Sequence, residues 1–182
     1  MNVLVAAASR YGSTAAIAEA IGDVLQSRGF EVTVTRPQDV AALSEFDAVV
    51  LGSAVYMGHW LEAPIALAHR IGTDLPGRPV WLFSSGPVGD PSKKFAQQMD
   101  VDPVDLQEVQ KATSAREHKR FSGKLDRHNL RGLQRVGLSL FRTIEGDFRD
   151  WKAVRLWAGS IADQLSAANA ASPLPSSFPP GR

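Results

Sequence analysis

No cysteine occurs anywhere in the 182 residues, which excludes disulfides, thiolate nucleophiles, iron–sulfur ligation and thiol redox chemistry. Any electron chemistry must therefore come from a bound cofactor. Histidine is scarce too. His59, His69, His118 and His128 lack the short spacings of zinc ligands, so no metal site is expected. No apolar run approaches the ~20 residues that a membrane span needs. Met1-Asn2 passes straight into VLVAAA without the basic lead of a signal peptide, so the expected location is cytoplasmic. A strong net charge is also missing, the total being +1, and no nucleic-acid partner is expected. That small total hides an uneven distribution: residues 1–110 carry 7 basic and 13 acidic side chains, whereas 111–155 carry 12 and 5. A local basic excess suits either docking to an anionic partner or a solvated helix face.

What is present points to one layered domain. An apolar fraction of 44% over this length is enough for one well-packed core and too little for two. Residues 3–8 form a short apolar run of the kind buried on both faces of a sheet. A helix follows, with Ile17, Ile21, Val24, Leu25 and Arg28 stepping by three and four, Ser13 or Thr14 as its cap and Gly29 as its stop. Strands are expected at 31–35, 46–51, 79–84 and 120–125, and helices at 61–71, 103–111 and 150–165. This alternation implies right-handed crossovers and a parallel sheet covered by helices on both faces. Residues 168–182, rich in Pro, Ser and Ala without apolar periodicity, read as a flexible tail after a domain of 1–167.

Ligands on such sheets sit beyond the carboxyl ends of the strands. The turn after the first strand is Ser9-Arg10-Tyr11-Gly12-Ser13-Thr14, small and hydroxylated, and it runs into a helix N-terminus. Unpaired backbone N–H groups and the positive end of the helix dipole suit a phosphate there, although an ordinary capped turn uses the same residue types. The third strand leads into Ala54-Val55-Tyr56-Met57-Gly58-His59-Trp60 and the fourth into Ser85-Gly86-Pro87-Val88-Gly89. Their glycines expose backbone groups to a planar ring, and Tyr56 and Trp60 offer aromatic faces for stacking. His59 is the candidate for moving a proton near neutral pH, and no general base stands out. Neither Gly-x-Gly-x-x-Gly nor Gly-x-x-x-x-Gly-Lys-Ser/Thr is present, which weighs against Rossmann and P-loop readings.

Between the fifth strand and the last helix lies an extra segment, 126–150, longer than usual connections. Leu130, Leu133, Val136, Leu140 and Phe141 line up as one stripe, and Arg127, Arg131, Arg135 and Arg142 populate another face. Substrate carboxylates or anionic lipid headgroups fit such a basic amphipathic surface. A core-packing helix with solvated arginines fits the pattern as well.

The sequence resembles the flavodoxin family, whose first loop reads Thr/Ser-x-Thr-Gly-x-Thr. It departs from that pattern at Tyr11, which removes one hydroxyl contact. The resemblance implies a doubly wound five-stranded parallel sheet of order 2-1-3-4-5 and FMN as cofactor. Ser9, Arg10, Gly12, Ser13 and Thr14 would hold the phosphate, with Tyr11 adding a backbone donor. Ala54, Val55, Tyr56, Met57, Gly58 and Trp60 would form the second loop at the ring, and Ser85, Gly86, Val88 and Gly89 the third. In VVLGSAVYMGHW, FSGKLD and EGDFRDW the likeness is nearer to the quinone-dependent protoporphyrinogen oxidase group. It implies an oxidoreductase that passes electrons from a reduced small molecule to a quinone, with peripheral contact to the inner membrane face through 126–150. Carrier flavodoxins are strongly acidic as a family, and an isoelectric point of about 8.1 disfavours that role. An NAD(P)H:quinone-type flavin reductase and an electron-transfer flavodoxin are the alternatives.

Overall fold

The apolar run near the N-terminus forms strand β1 (Asn2–Ala8), in which Val3, Leu4, Val5 and Ala6 are wholly buried. A central parallel strand needs this, because alternate side chains point into opposite helix layers. Val3, Val5 and Ala7 join the core under helices α1 (Ser13–Ser27) and α4 (Trp151–Ala171). Leu4 and Ala6 join the core under α2 (Glu62–Asp74) and α3 (Leu106–Thr113). The computed structural model describes residues 1–86, 102–125 and 146–171.

Around β1 lie β2 (Glu31–Thr35), β3 (Ala48–Tyr56), β5 (Val80–Ser85) and β6 (Glu117–Phe121), all parallel, in the spatial order β2-β1-β3-β5-β6. Counting these five strands along the chain gives the expected 2-1-3-4-5. A two-residue strand β4 (His59–Trp60) folds back antiparallel on the end of β3. Separate from the sheet, β7 (Lys124–Leu125) and β8 (Gly146–Asp147) pair as a short antiparallel ribbon. Gly52 lies inside β3, and a β-carbon there would come within 2.1 Å of the Phe83 ring. That ring makes edge-to-face contacts with Phe121 at 6.1 Å and Trp157 at 6.2 Å between centroids, an arrangement favoured by the ring quadrupoles.

Several expected boundaries move. The fifth strand is 117–121 rather than 120–125. As an edge strand it carries Glu117, His118, Lys119 and Arg120, so no apolar alternation marks it. The third strand runs on to Tyr56, and residues 52–56 are strand rather than open loop. The helix expected at 103–111 is Leu106–Thr113, beginning after Pro103, where a proline restricts the residue before it. The last helix continues to Ala171, four residues into the expected tail. Its Ser166–Ala171 end is exposed and Ala-rich, held by helix propensity rather than by apolar burial. The remainder of the tail, and residues 126–145 of the extra segment, lie outside the described residues.

Candidate functional site

At the carboxyl edge of the sheet, four turns are linked pairwise into a closed circuit. The first is the β1–α1 turn. Gly12 occupies the left-handed region at φ 80° with nothing within 4 Å of where a β-carbon would stand, so the backbone is open to a close approach. Neither Ser13 nor Thr14 caps the helix as expected: Gly12 is the N-cap, with no side-chain bond of its own. Instead the Thr14 N–H donates to Ser9 Oγ at 3.2 Å, reaching back across the turn. The N–H groups of Ser13 and Ala15 have no intrahelical acceptor, as at any helix start. No acidic side chain stands in the first turn.

The second turn is the β3–β4 hairpin at Met57-Gly58. Its two tip residues have φ 52° and 82°, the doubly left-handed pattern of a tight hairpin in which methionine is a strained occupant. Met57 is 76% exposed. The Arg10 guanidinium of the first turn lies 4.1 Å above the Tyr56 ring, a cation–π contact that joins the first two turns.

The third turn begins at Gly86, φ 119°, where a β-carbon would meet the Val55 carbonyl at 3.4 Å. Gly86 N–H donates to the Phe121 carbonyl at 3.0 Å, bringing in the fourth turn, Ser122-Gly123-Lys124. A methyl on Gly123 would stand 3.6 Å from Ser85 Oγ and 3.7 Å from Ser13 Oγ. Lys124 N–H donates to Ser13 Oγ at 3.0 Å and closes the circuit on the first turn. Gly123 and Lys124 were not among the expected site residues. Their sequence signal is the FSGKLD stretch, which carries only a resemblance.

The residues present fit FMN at its phosphate end. The first turn offers the N–H groups of Ser13 and Ala15, the Ser9 and Ser13 hydroxyls and the Arg10 cation, with no acidic side chain in the first turn of α1, and charge-assisted hydrogen bonds are the strong ones. Thr14 is buried beneath them. At the ring end Tyr56, Met57, Gly58, Ser85 and Gly86 stand at the edge, and Ala54 and Val55 lead into it. Trp60 corrects an expectation, being only 4% exposed. Its indole packs in the α2–α3 core and donates Nε1–H to Ser84 Oγ at 2.8 Å, so it has no open face for stacking. Val88, Gly89, Arg127, Arg131, Arg135 and Arg142 lie outside the described residues. His59 Nδ1 stands 3.1 Å from Asp105 Oδ2, which also accepts the Trp60 backbone N–H at 2.8 Å. An open cavity of about 750 Å³ lies elsewhere, between α3 and β6, bounded by Asp102, Val104, Gln107, Gln110, His118 and Lys119. It is lined by none of the residues of the four turns. Among the described residues no helix is long and apolar enough to cross a membrane.

A doubly wound sheet whose carboxyl edge gathers a glycine-bent turn at a helix start and an aromatic hairpin defines a class of nucleotide-cofactor proteins. The family described as flavodoxin domain matches residues 4–152, and the chain belongs to that family. It is a flavodoxin-like flavoprotein, and its cofactor is FMN. None of the curated proteins matches it in sequence. Among solved structures it is similar to a Streptococcus pneumonia TIGR4 flavodoxin, with 17% identity over 90% of this chain and 99% of that one, at a TM-score of 0.58. Flavodoxin 2 from Bacillus cereus gives 18% identity over 90% and 99%, at 0.57. Rubredoxin oxygen:oxidoreductase from Desulfovibrio gigas gives 14% identity over 93% of this chain but 37% of that one, at 0.63. Likeness at these identities is a likeness of fold.

Proposed function

We propose that the chain is an FMN-dependent oxidoreductase of the protoporphyrinogen oxidase type, passing electrons from a reduced tetrapyrrole-like substrate to a quinone. The observation that carries this reading is the β7–β8 ribbon. The FSGKLD and EGDFRDW stretches, far apart in sequence, pair as Lys124 with Asp147 and Leu125 with Gly146. Phe148 N–H closes the ribbon on the Gly123 carbonyl at 3.2 Å. Residues 126–145 therefore leave and re-enter the domain at one point, and that point is bonded to Ser13 in the phosphate turn. The nearness of the flanking Leu125 and Gly146 to the first turn supports a role for the segment between them in meeting substrate or membrane.

FMN, when bound, supplies the hydride acceptor and the route for electrons onward to quinone. The chain's own work is positional. Ser9, Ser13 and the start of α1 would hold the phosphate, and Arg10 braces Tyr56, which would flank the ring. His59, held by Asp105, is the candidate for carrying a proton at the exposed edge. Arg127, Arg131, Arg135 and Arg142 would meet substrate carboxylates or anionic headgroups.

Anaerobic mixing of the FMN-loaded protein with protoporphyrinogen, and separately with NADPH, tests the reading. Bleaching of the visible flavin band by protoporphyrinogen, reversed by quinone, is expected. Bleaching by NADPH alone identifies an NAD(P)H:quinone-type reductase instead. Bleaching by neither donor leaves the electron-transfer flavodoxin.

A further inference from the structure

We propose that His118 is a positioning residue for the flavin site: through the Ser84 hydroxyl it fixes the Trp60 indole, and with it the hairpin that carries Tyr56, Met57 and Gly58. A proton taken up at His118 then weakens FMN binding. No part of this depends on which substrate the protein oxidises.

His118 stands on an edge strand, where a polar side chain would ordinarily face water. Here it is 7% exposed. Its Nε2 lies 2.8 Å from Ser84 Oγ, and the same oxygen receives the Trp60 Nε1–H at 2.8 Å. Ser84 is completely buried. An indole nitrogen can only donate, so Ser84 Oγ accepts from Trp60 and has one hydrogen to give. We assign that hydrogen to His118 Nε2, the tautomer whose imidazole proton sits on Nδ1, the side facing Asp102 Oδ1 at 3.9 Å.

A second proton would go to Nε2 and point at Ser84 Oγ. The serine would then accept twice while its own hydrogen lost the acceptor it had, inside the core. Relief comes from a turn of the serine, the indole or the imidazole, which borders the cavity beside α3, and each of these disturbs the Ser84 contact that holds the hairpin's indole. The other ties on that hairpin are the backbone N–H of Trp60 to Asp105, that of Leu61 to Ser53 Oγ at 2.9 Å and that of Val104 to the Gly58 carbonyl at 2.9 Å, with His59 on Asp105 and Arg10 on Tyr56 at its outer edge. The indole bond is the side-chain tie on the β4 strand from within the core.

The groups around the imidazole are Asp102 from the segment before α3, Glu117, Lys119 and Arg120 from its own strand, and the uncharged Gln107 and Gln110 of α3. Arg120 also engages Asp102, at 3.3 Å. Burial lowers the His118 pKa from its ordinary 6.5, and the carboxylates of Asp102 and Glu117 pull against it. The native state thus holds fewer protons than the unfolded chain just below 6.5. The stabilising neutral form is complete above that value, and stability is lost as pH falls from it through the lowered folded value.

Linkage supplies a test that a merely structural histidine would fail. The full-length protein, labelled with nitrogen-15, is titrated from about pH 8 to about pH 5, with and without saturating FMN, following the His118 ring and the Trp60 indole N–H. The Trp60 resonance, identified by its loss in Trp60→Phe, should move with the midpoint of His118. FMN affinity, read from fluorescence quenching, should fall about fivefold or more across that midpoint. Saturating FMN should move the midpoint to lower pH. In His118→Gln, which keeps an acceptor but cannot titrate there, the Trp60 resonance and the affinity should lose this pH response. In Ser84→Ala, His118 should still titrate and Trp60 should no longer follow. A His118 midpoint indifferent to FMN, or a Trp60 resonance that ignores His118 in the unaltered protein, overturns the proposal. So does coupling that survives Ser84→Ala.

Discussion

The phosphate turn and the ring hairpin sit side by side at one edge of the sheet, yet they are held in opposite ways. The turn takes its bend from residues within six positions of one another: Ser9 accepts from Thr14, Gly12 takes the left-handed bend, and the helix start supplies the donors, with Lys124 and Tyr56 joining it from farther along the chain. The hairpin is organised from afar. Asp105 lies 45 residues beyond Trp60, and Ser84, Val104 and His118 complete its ties. A site can therefore have one half that forms with its own helix and another that exists only when α3, β5 and β6 are all in place.

The largest effect that would sharpen this contrast is expected from Asp105→Ala. It strips the acceptor from the Trp60 N–H and the partner from His59, and should cost about 2 kcal/mol, a fall in Tm of about 6 °C for a chain of this size. FMN affinity should fall with it, because the hairpin loosens. Ser9→Ala removes only a local tie and should cost about 1 kcal/mol, the ordinary worth of an N-terminal hydroxyl acceptor. Its affinity loss should exceed its stability loss, since the hydroxyl is among those proposed to hold the phosphate. If calorimetry finds Ser9→Ala as destabilising as Asp105→Ala, the division into local and remote halves fails.

The smallest effect belongs to the ribbon. Arg149 donates to Asp147 through its Nε at 2.7 Å and through its terminal nitrogen, and it covers the Trp151 ring at 4.4 Å. The hydrogen bond from Arg149 holds the Asp147 carboxyl below its usual range. Whatever the pair contributes is present at neutral pH and is lost as pH falls through that depressed value. Arg149→Ala should cost less than about 1 kcal/mol, as partly exposed pairs do. The difference from the unaltered protein in urea melts should shrink under acid conditions to what the Trp151 contact contributes.

Legibility followed the same division. Strand β1, the phosphate turn, helix α1 and its Gly29 stop were readable because their signals are local: a doubly buried apolar run, small hydroxylated residues, periodic apolar steps. Trp60 was misread as a stacking face, since nothing near it in sequence reveals that Ser84 waits to accept its indole proton. Strand β6 was placed three residues late because an edge strand is free to be polar. The pairing of FSGKLD with EGDFRDW could be suspected only through resemblance, there being no local code for a two-residue ribbon closed across a long insertion.

By itself, the order of apolar runs and glycines determined a doubly wound sheet with a small, hydroxylated turn at its carboxyl edge, because periodicity and backbone preference act over a few residues. Tertiary structure alone decided which aromatic is buried, which serine bridges two turns and which histidine reaches the hairpin. Those outcomes depend on polar groups left without water, which must find partners wherever packing brings them, however distant along the chain.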